Sequence, residues 1–353
     1  MKAAIWYGRR DIRVAEVPEP GAPGPGQAQV KVRWCGICGS DLHEYTSGPM
    51  IIPTQKPHPM TGKTAPVIMG HEFSGDVVAV GEGAAGFQVG DRVIATAFER
   101  CGTCYWCQHG QSQICRYVAS LGLHRDGALA EYVNVPAYTL HRLPPALSYE
   151  LAALVEPLAV AVHAVRQGGV QPGSTVAVFG AGPIGLSVLQ AARAAGAARV
   201  LVFEIAQRRQ RLALALGAEA ILDPREPEIV RQFFALTSHM GVDVSFDCAG
   251  APASAPMAIE VVRRGGRAVI VAVFEQPSQL HFNRVMFFEK QVVGAIGYSD
   301  EFPATIALLA DGRLRGEPLI SAKIGLRDIV AHGFEALVER KDEHVKILVS
   351  PEA

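Results

Sequence analysis

The chain has 353 residues, 49% of them hydrophobic and 19% charged, with a formal net charge of −1. That length exceeds one ordinary core and implies two domains. No basic run offers a footprint for a nucleic-acid backbone, and no apolar stretch approaches the roughly 20 residues of a membrane span.

In chain order, Met1-Lys2-Ala3-Ala4-Ile5-Trp6 lacks the apolar core of a signal peptide and reads as a first strand, so a cytoplasmic protein is expected. Up to about residue 155 the pattern is β-rich, with alternating runs at Ala28–Val32 and Ser74–Val80. The stretch from Gly48 to Pro66 carries Pro49, Pro53, Pro57 and Pro59, which excludes a regular element. From about Thr175 the pattern changes to strand alternating with helix: Val176–Phe179, a helical run from Ile184 to about Ala195, Arg199–Phe203, and a helix from about Gln207. Further strands are expected at Val242–Phe246 and Arg267–Val271. Such alternation predicts a parallel, doubly wound α/β sheet. After about Gly297 a helical segment and a last strand at Val345–Val349 are expected to rejoin the first domain. The expected division is 1–157 with 297–353, against 158–296.

Gly180-Ala181-Gly182-Pro183-Ile184-Gly185 follows the strand Val176–Phe179 directly. The first glycine permits a tight turn, the second lets a pyrophosphate approach the backbone, and the third lets the helix pack on the sheet. Phosphates then lie at the helix's positive end. Glu204 closes the second strand 19 positions after Gly185, where a carboxylate accepts from both ribose hydroxyls. Its charge argues for NAD and against the 2′-phosphate of NADP. Arg208 and Arg209 are the complication, read here as adenosine-side or solvent-facing helix residues.

Cysteines mark two further places. Cys101, Cys104, Cys107 and Cys115 supply four thiolates within fifteen residues, which suits a closed tetrahedral structural zinc and leaves His109 a bystander. In a reducing compartment tight clusters favour metal over disulfides. The second place joins Cys38, in Gly36-Ile37-Cys38-Gly39-Ser40-Asp41-Leu42-His43, with His71, in Gly70-His71-Glu72. Glu72 and Glu156 compete for a third ligand position of a catalytic zinc, which keeps one position open. Taken singly these residues have plainer readings: Cys35 and Cys38 as a dithiol, His71-Glu72 as a hydrogen-bonded pair, Ser40 as a turn residue, His43 as solvent-facing.

The joint occurrence points elsewhere. Gly-Ile-Cys-Gly-Ser-Asp-x-His, Gly-His-Glu-x-x-Gly at 70–75, Gly90-Asp91-Arg92-Val93, the four-cysteine lobe, Glu156-Pro157 and the glycine turn stand in one order. In these features the chain resembles the zinc-containing medium-chain alcohol dehydrogenases over essentially its whole length. Within them it is most similar to the (R,R)-2,3-butanediol dehydrogenases, through Asp41-Leu42-His43-Glu44-Tyr45, the proline-rich insertion before Gly70, and Lys341–Val349.

The resemblance implies a GroES-like catalytic domain beside a Rossmann domain. It also implies one catalytic and one structural zinc, and NAD. Oxidation of a vicinal diol to a hydroxyketone is the expected reaction, with polyol or L-threonine dehydrogenation as the alternative. It implies Cys38 and His71 as zinc ligands with Glu72 or Glu156, and Asp41 as the partner of the free His71 ring N–H. Ser40, the ribose hydroxyl and His43 form the implied proton relay. Bound zinc lowers the pKa of water from ~16 to ~7, and an alcohol responds alike. The family is commonly a homodimer or homotetramer, and neither nucleic acid nor membrane is an expected partner.

Overall fold

The computed structural model describes residues 1–352. The chain divides into two units: Met1–Glu156 with Phe302–Ala310 and Ile320 onward, and Pro157–Glu301 with Asp311–Leu319.

The first unit is built on a mostly antiparallel sheet. Its strands run in the order Leu140–Arg142, Arg92–Ala95, Glu72–Val80, Gln27–Gly36, Lys346–Ser350, Ile320–Gly325, with Tyr132–Pro136 also paired to Gln27–Gly36. Along Gln27–Gly36 every second side chain points inward, so Ala28, Val30 and Val32 are fully buried. They meet Phe73, Val77, Ile347 and Val349 in one apolar core. A smaller sheet orders Asp11–Glu16, Lys2–Gly8 and Val67–Ile68. Between Ser47 and Val67 there is neither helix nor strand, as the prolines require.

The second unit is a six-stranded parallel sheet. Its order is Ala220–Leu222, Arg199–Phe203, Thr175–Phe179, Val242–Asp247, Val262–Ile270, Gln291–Gly294. Central strands such as Val176–Phe179 and Val200–Phe203 are buried on both faces, which explains their unbroken apolar runs. The chain winds outward from Thr175–Phe179 in one direction and then, from Val242–Asp247, in the other. The reversal point lies between these two strands, where doubly wound sheets bind ligands.

The division differs from the sequence expectation by one residue at Pro157, which falls in the second unit, and in two longer stretches. Residues 297–301 belong to the dinucleotide-type unit, and so does Asp311–Leu319. The second stretch has a local cause: the buried Gln190 amide accepts from the Arg315 N–H at 2.7 Å and donates to the Arg315 carbonyl at 3.3 Å. One polar side chain thus fastens a distant loop. Among the described residues no helix is long and apolar enough to cross a membrane.

Candidate active site

The helix Gly39–Ser47 begins at Cys38, whose backbone is extended. Asp41, fully buried, turns back to accept the Cys38 N–H at 2.9 Å. This capping fixes where the Cys38 thiol stands and places Ser40 and His43 in the first turns of the same helix. His71 lies between the strands Val67–Ile68 and Glu72–Val80 and is 4% exposed. Gly70 before it has φ +94, and a Cβ there would come within 2.8 Å of the Cys35 sulfur. Only glycine lets the chain carry the imidazole past that point.

Ser40 Oγ lies 3.4 Å from His71 Nε2, and the Cys38 thiol bears on the same ring. Burial alone would push the His71 imidazole down. The charges of Asp41, Cys38 and Glu156 outweigh it and hold the ring well above its usual value. Asp41 Oδ1 stands 3.7 Å from His71 Nδ1, and both atoms lack a hydrogen-bond partner. The expected hydrogen bond is therefore an electrostatic contact only. A half-buried thiol, a buried imidazole and buried carboxyl groups, with negative charge in excess, are the donor types a divalent cation takes.

The two competing carboxylates have different surroundings. Glu72 is fully buried, and both its oxygens accept from Lys346 Nζ at 2.7 Å, which also donates to the Ile37 carbonyl at 3.0 Å. A Cβ on the facing Gly36 would sit 2.2 Å from Glu72 Oε2, so the pair depends on that glycine. Burial would lower the Lys346 pKa, but the Glu72 charge outweighs it and raises it. Glu156, in the first turn of the helix Val155–Gly168, is 7% exposed and bears electrostatically on His71.

Lys346 escaped the sequence reading, although a lysine inside the apolar run Val345–Val349 signals a buried partner. Glu44 escaped it too. Its buried carboxylate gathers the N–H groups of Met50, Ile51 and Ile52, folding the start of the proline-rich insertion onto the helix that bears Ser40. Cys35 is a fully buried thiol, its pKa pushed up by burial, as a packed residue should be. Cys248 is only half-buried.

Among the described residues, Cys101, Cys104, Cys107 and Cys115 are the one group of three or more metal-type donors all within 4.8 Å of one another. Four of their S···S separations are 3.5, 3.5, 3.8 and 4.0 Å. A tetrahedron of sulfurs about zinc, at ~2.3 Å per bond, has edges of about 3.8 Å. The Cys101 N–H and the Tyr117 N–H both point at the Cys115 sulfur at 3.4 Å, and the Cys104 N–H at that of Cys101. Backbone N–H groups of Thr103 and Cys104 lower the Cys101 pKa to about 6. Burial and the neighbouring thiols push Cys107 up to about 12, so it is the closeness of the four sulfurs that fits zinc. His109 stacks on Tyr105 and takes no part.

In the second unit, Gly180 has φ +88, and a Cβ at Gly185 would lie 1.8 Å from the Gly180 carbonyl oxygen. At Gly182, which caps the helix Pro183–Ala194, a Cβ meets nothing within 4 Å. The backbone there is open to a ligand at a helix N-terminus with Pro183 and Ile184 in its first turn. Glu204 is 6% exposed and accepts from the N–H groups of Ala181, Ile205 and Ala206 at 2.6–2.8 Å. Its carboxylate is thereby oriented against the glycine turn. Arg209 is half-buried on the helix Gln207–Ala215.

Fold and site together define a two-domain, metal-assisted dehydrogenase. Residues 24–145 match the alcohol dehydrogenase GroES-like domain, and residues 183–311 match the zinc-binding dehydrogenase domain. The chain is 44% identical to the (R,R)-butanediol dehydrogenase of Bacillus subtilis (strain 168), over 99% of its own length and 100% of the relative's. The crystal structure of the 2R,3R-butanediol dehydrogenase from Bacillus subtilis superposes with a TM-score of 0.92, covering 99% of each chain. A sorbitol dehydrogenase of Bacillus subtilis (strain 168) is 35% identical over 99% of this chain and 97% of its own. An L-threonine 3-dehydrogenase of Pyrococcus horikoshii is 34% identical over 96% and 94%. The chain belongs to the zinc-binding medium-chain alcohol dehydrogenases.

Proposed function

We propose that this chain oxidises a vicinal diol to a hydroxyketone, of the 2,3-butanediol and acetoin type, with NAD as hydride acceptor. The observation that carries the reading is the meeting of Cys38 and Ser40 at the buried His71 ring, in a negatively charged surrounding, in a chain 44% identical throughout to a butanediol dehydrogenase.

In this reading the chain holds two zinc ions. Cys101, Cys104, Cys107 and Cys115 hold one that orders the lobe. Cys38, His71 and Glu156 hold the other, because the Glu72 carboxylate is already committed to Lys346. That second zinc supplies Lewis acidity, which makes an alcohol proton removable near neutral pH. Ser40 Oγ takes that proton, and His43, three residues along the helix, passes it toward solvent. Glu156 also presents charge to the diol's second hydroxyl. Glu204 selects NAD, since a 2′-phosphate would meet its like charge.

A homodimer or homotetramer in the cytoplasm completes the reading. The edge strand Gln291–Gly294 and its neighbours expose Met286, Phe287, Val292 and Ile296, which suits pairing with a second copy.

The test is a substrate panel with the zinc-loaded protein. (R,R)-2,3-butanediol with NAD should give a kcat/KM at least about tenfold above sorbitol and L-threonine, a difference of about 1.4 kcal/mol in transition-state binding. A preference for either rival, to whose dehydrogenases the chain is 35% and 34% identical, would overturn the diol assignment. A higher kcat/KM with NADP would overturn the NAD assignment.

A further inference from the structure

The proline-rich insertion has no part in the chemistry above, yet it is docked by a specific device. The rings of His58, within the insertion, and His124 face each other with centroids 4.4 Å apart. Each ring accepts a backbone N–H at Nδ1. His58 Nδ1 accepts the Met60 N–H at 3.4 Å, and His124 Nδ1 accepts the Ser120 N–H at 3.0 Å. The backbones of Val118 and Ile51 bear on His58 and His124 respectively, each favouring the protonated ring less than burial disfavours it. Two neutral imidazoles satisfy this arrangement. Adding a proton at either Nδ1 removes an acceptor from a backbone N–H and sets a charge against a ring already half-buried.

We infer that His58 and His124 form an acid-released latch that holds the insertion 48–66 against the segment 118–126 at neutral pH and lets it go on protonation. Ile51, whose backbone bears on His124, lies in the same turn that Glu44 gathers onto the helix of Ser40 and His43. Release therefore loosens the segment that leads directly out of that helix, a consequence for catalysis that rests on the proposed site. The other charged groups facing the pair are already matched: Lys63 with Asp126 at 2.7 Å, and Arg125 with Glu99 at 2.6 Å. Thr61 adds a hydrogen bond to the His124 carbonyl, which no proton disturbs.

Burial, then the opposing His58 charge, lowers the His124 pKa to about 4, and burial lowers that of His58 below 6.5. The docked state thus binds fewer protons than the released one. Docking is complete above pH ~6.5 and weakens as pH falls toward 4.

Hydrogen–deuterium exchange on the full, zinc-loaded chain tests this, corrected for intrinsic exchange and referenced to the strand Glu72–Val80. Between pH 7 and 5 the amides of 50–64 should accelerate about tenfold or more relative to that strand. In the variant His58→Gln with His124→Gln the pH-dependent step should vanish. Exchange of insertion and strand in parallel across this range would overturn the latch. So would loss of zinc by pH 5 with acceleration spread over 101–115. Should the double variant leave the insertion loose at every pH, the wild-type histidine NMR titrations decide: both below ~6.5 supports the latch, and either above it overturns it. Butanediol oxidation at pH 7.5 reports on the proposed function independently of these outcomes.

Discussion

Lys346 and Glu72, 274 residues apart in sequence, share a fully buried ion pair in which one ammonium spans both carboxylate oxygens at 2.7 Å. The pair stands directly behind the Cys38–His71 cluster, since Glu72 follows His71 and Lys346 also holds the carbonyl of Ile37. It keeps a second carboxylate near the metal-type donors fully occupied.

Removing one partner strands the other. Lys346→Met should cost about 3–5 kcal/mol of stability, because an unpaired buried charge remains. Lys346→Met with Glu72→Gln should recover much of that loss. Thermal and urea unfolding of wild type, Lys346→Met, Glu72→Gln and the double variant check both statements, and additivity of the single changes would argue against the pair.

Zinc content separates the two carboxylates. Glu156→Ala and Cys38→Ser should each lower zinc from two to one per chain and abolish diol oxidation, while the four-cysteine lobe retains its ion. Glu72→Gln should leave two. Asp41→Ala should weaken the second zinc by about 10–100-fold through the loss of its charge beside His71. Elemental analysis after dialysis against a weak chelator reads all four.

The glycine turn offers a contrast within six residues. Gly182→Ala adds a methyl that touches no protein atom, so the melting temperature should hold while NADH binds about tenfold more weakly. Gly185→Ala drives a methyl to 1.8 Å from the Gly180 carbonyl and should destabilise the fold itself by about 1–3 kcal/mol. Fluorescence titration with NADH and calorimetry measure the two effects.

A pH dependence follows from Glu301. Burial would raise its pKa, but hydrogen bonds from His163 at 3.0 Å and Ser299, with the charges of His163 and Arg166, lower it from 4.5 to about 2. A carboxyl whose folded pKa is depressed contributes its stability above the unfolded value and loses it as pH falls through the folded one. Glu301→Gln should therefore be less stable than wild type at pH 7, with the gap shrinking as pH is lowered from about 4.5 toward 2. Urea midpoints at stepped pH test the slope.

What the sequence disclosed was local. The four cysteines lie within fifteen residues and the glycine turn within six, so chain geometry alone places their chemistry in one spot. Cys38 and His71 were legible only together with the blocks around them. The contacts that escaped notice pair residues far apart: Glu72 with Lys346, His163 with Glu301 across 138 positions, His58 with His124. No periodicity reports such pairings, because they are decided by which strands and loops come to lie together. The boundary at Asp311–Leu319 escaped for the same reason, being set by one buried glutamine.

The strand Lys346–Ser350 lies between Gln27–Gly36 and Ile320–Gly325, inside the first unit's sheet and not at its margin. During synthesis, the amino-terminal half must therefore wait, with that slot unfilled and Glu72 lacking its counter-ion, until Lys346–Ser350 leaves the ribosome. Residues 157–301 form a nearly continuous stretch and can fold well before then. The half that is synthesised first is the last to be completed.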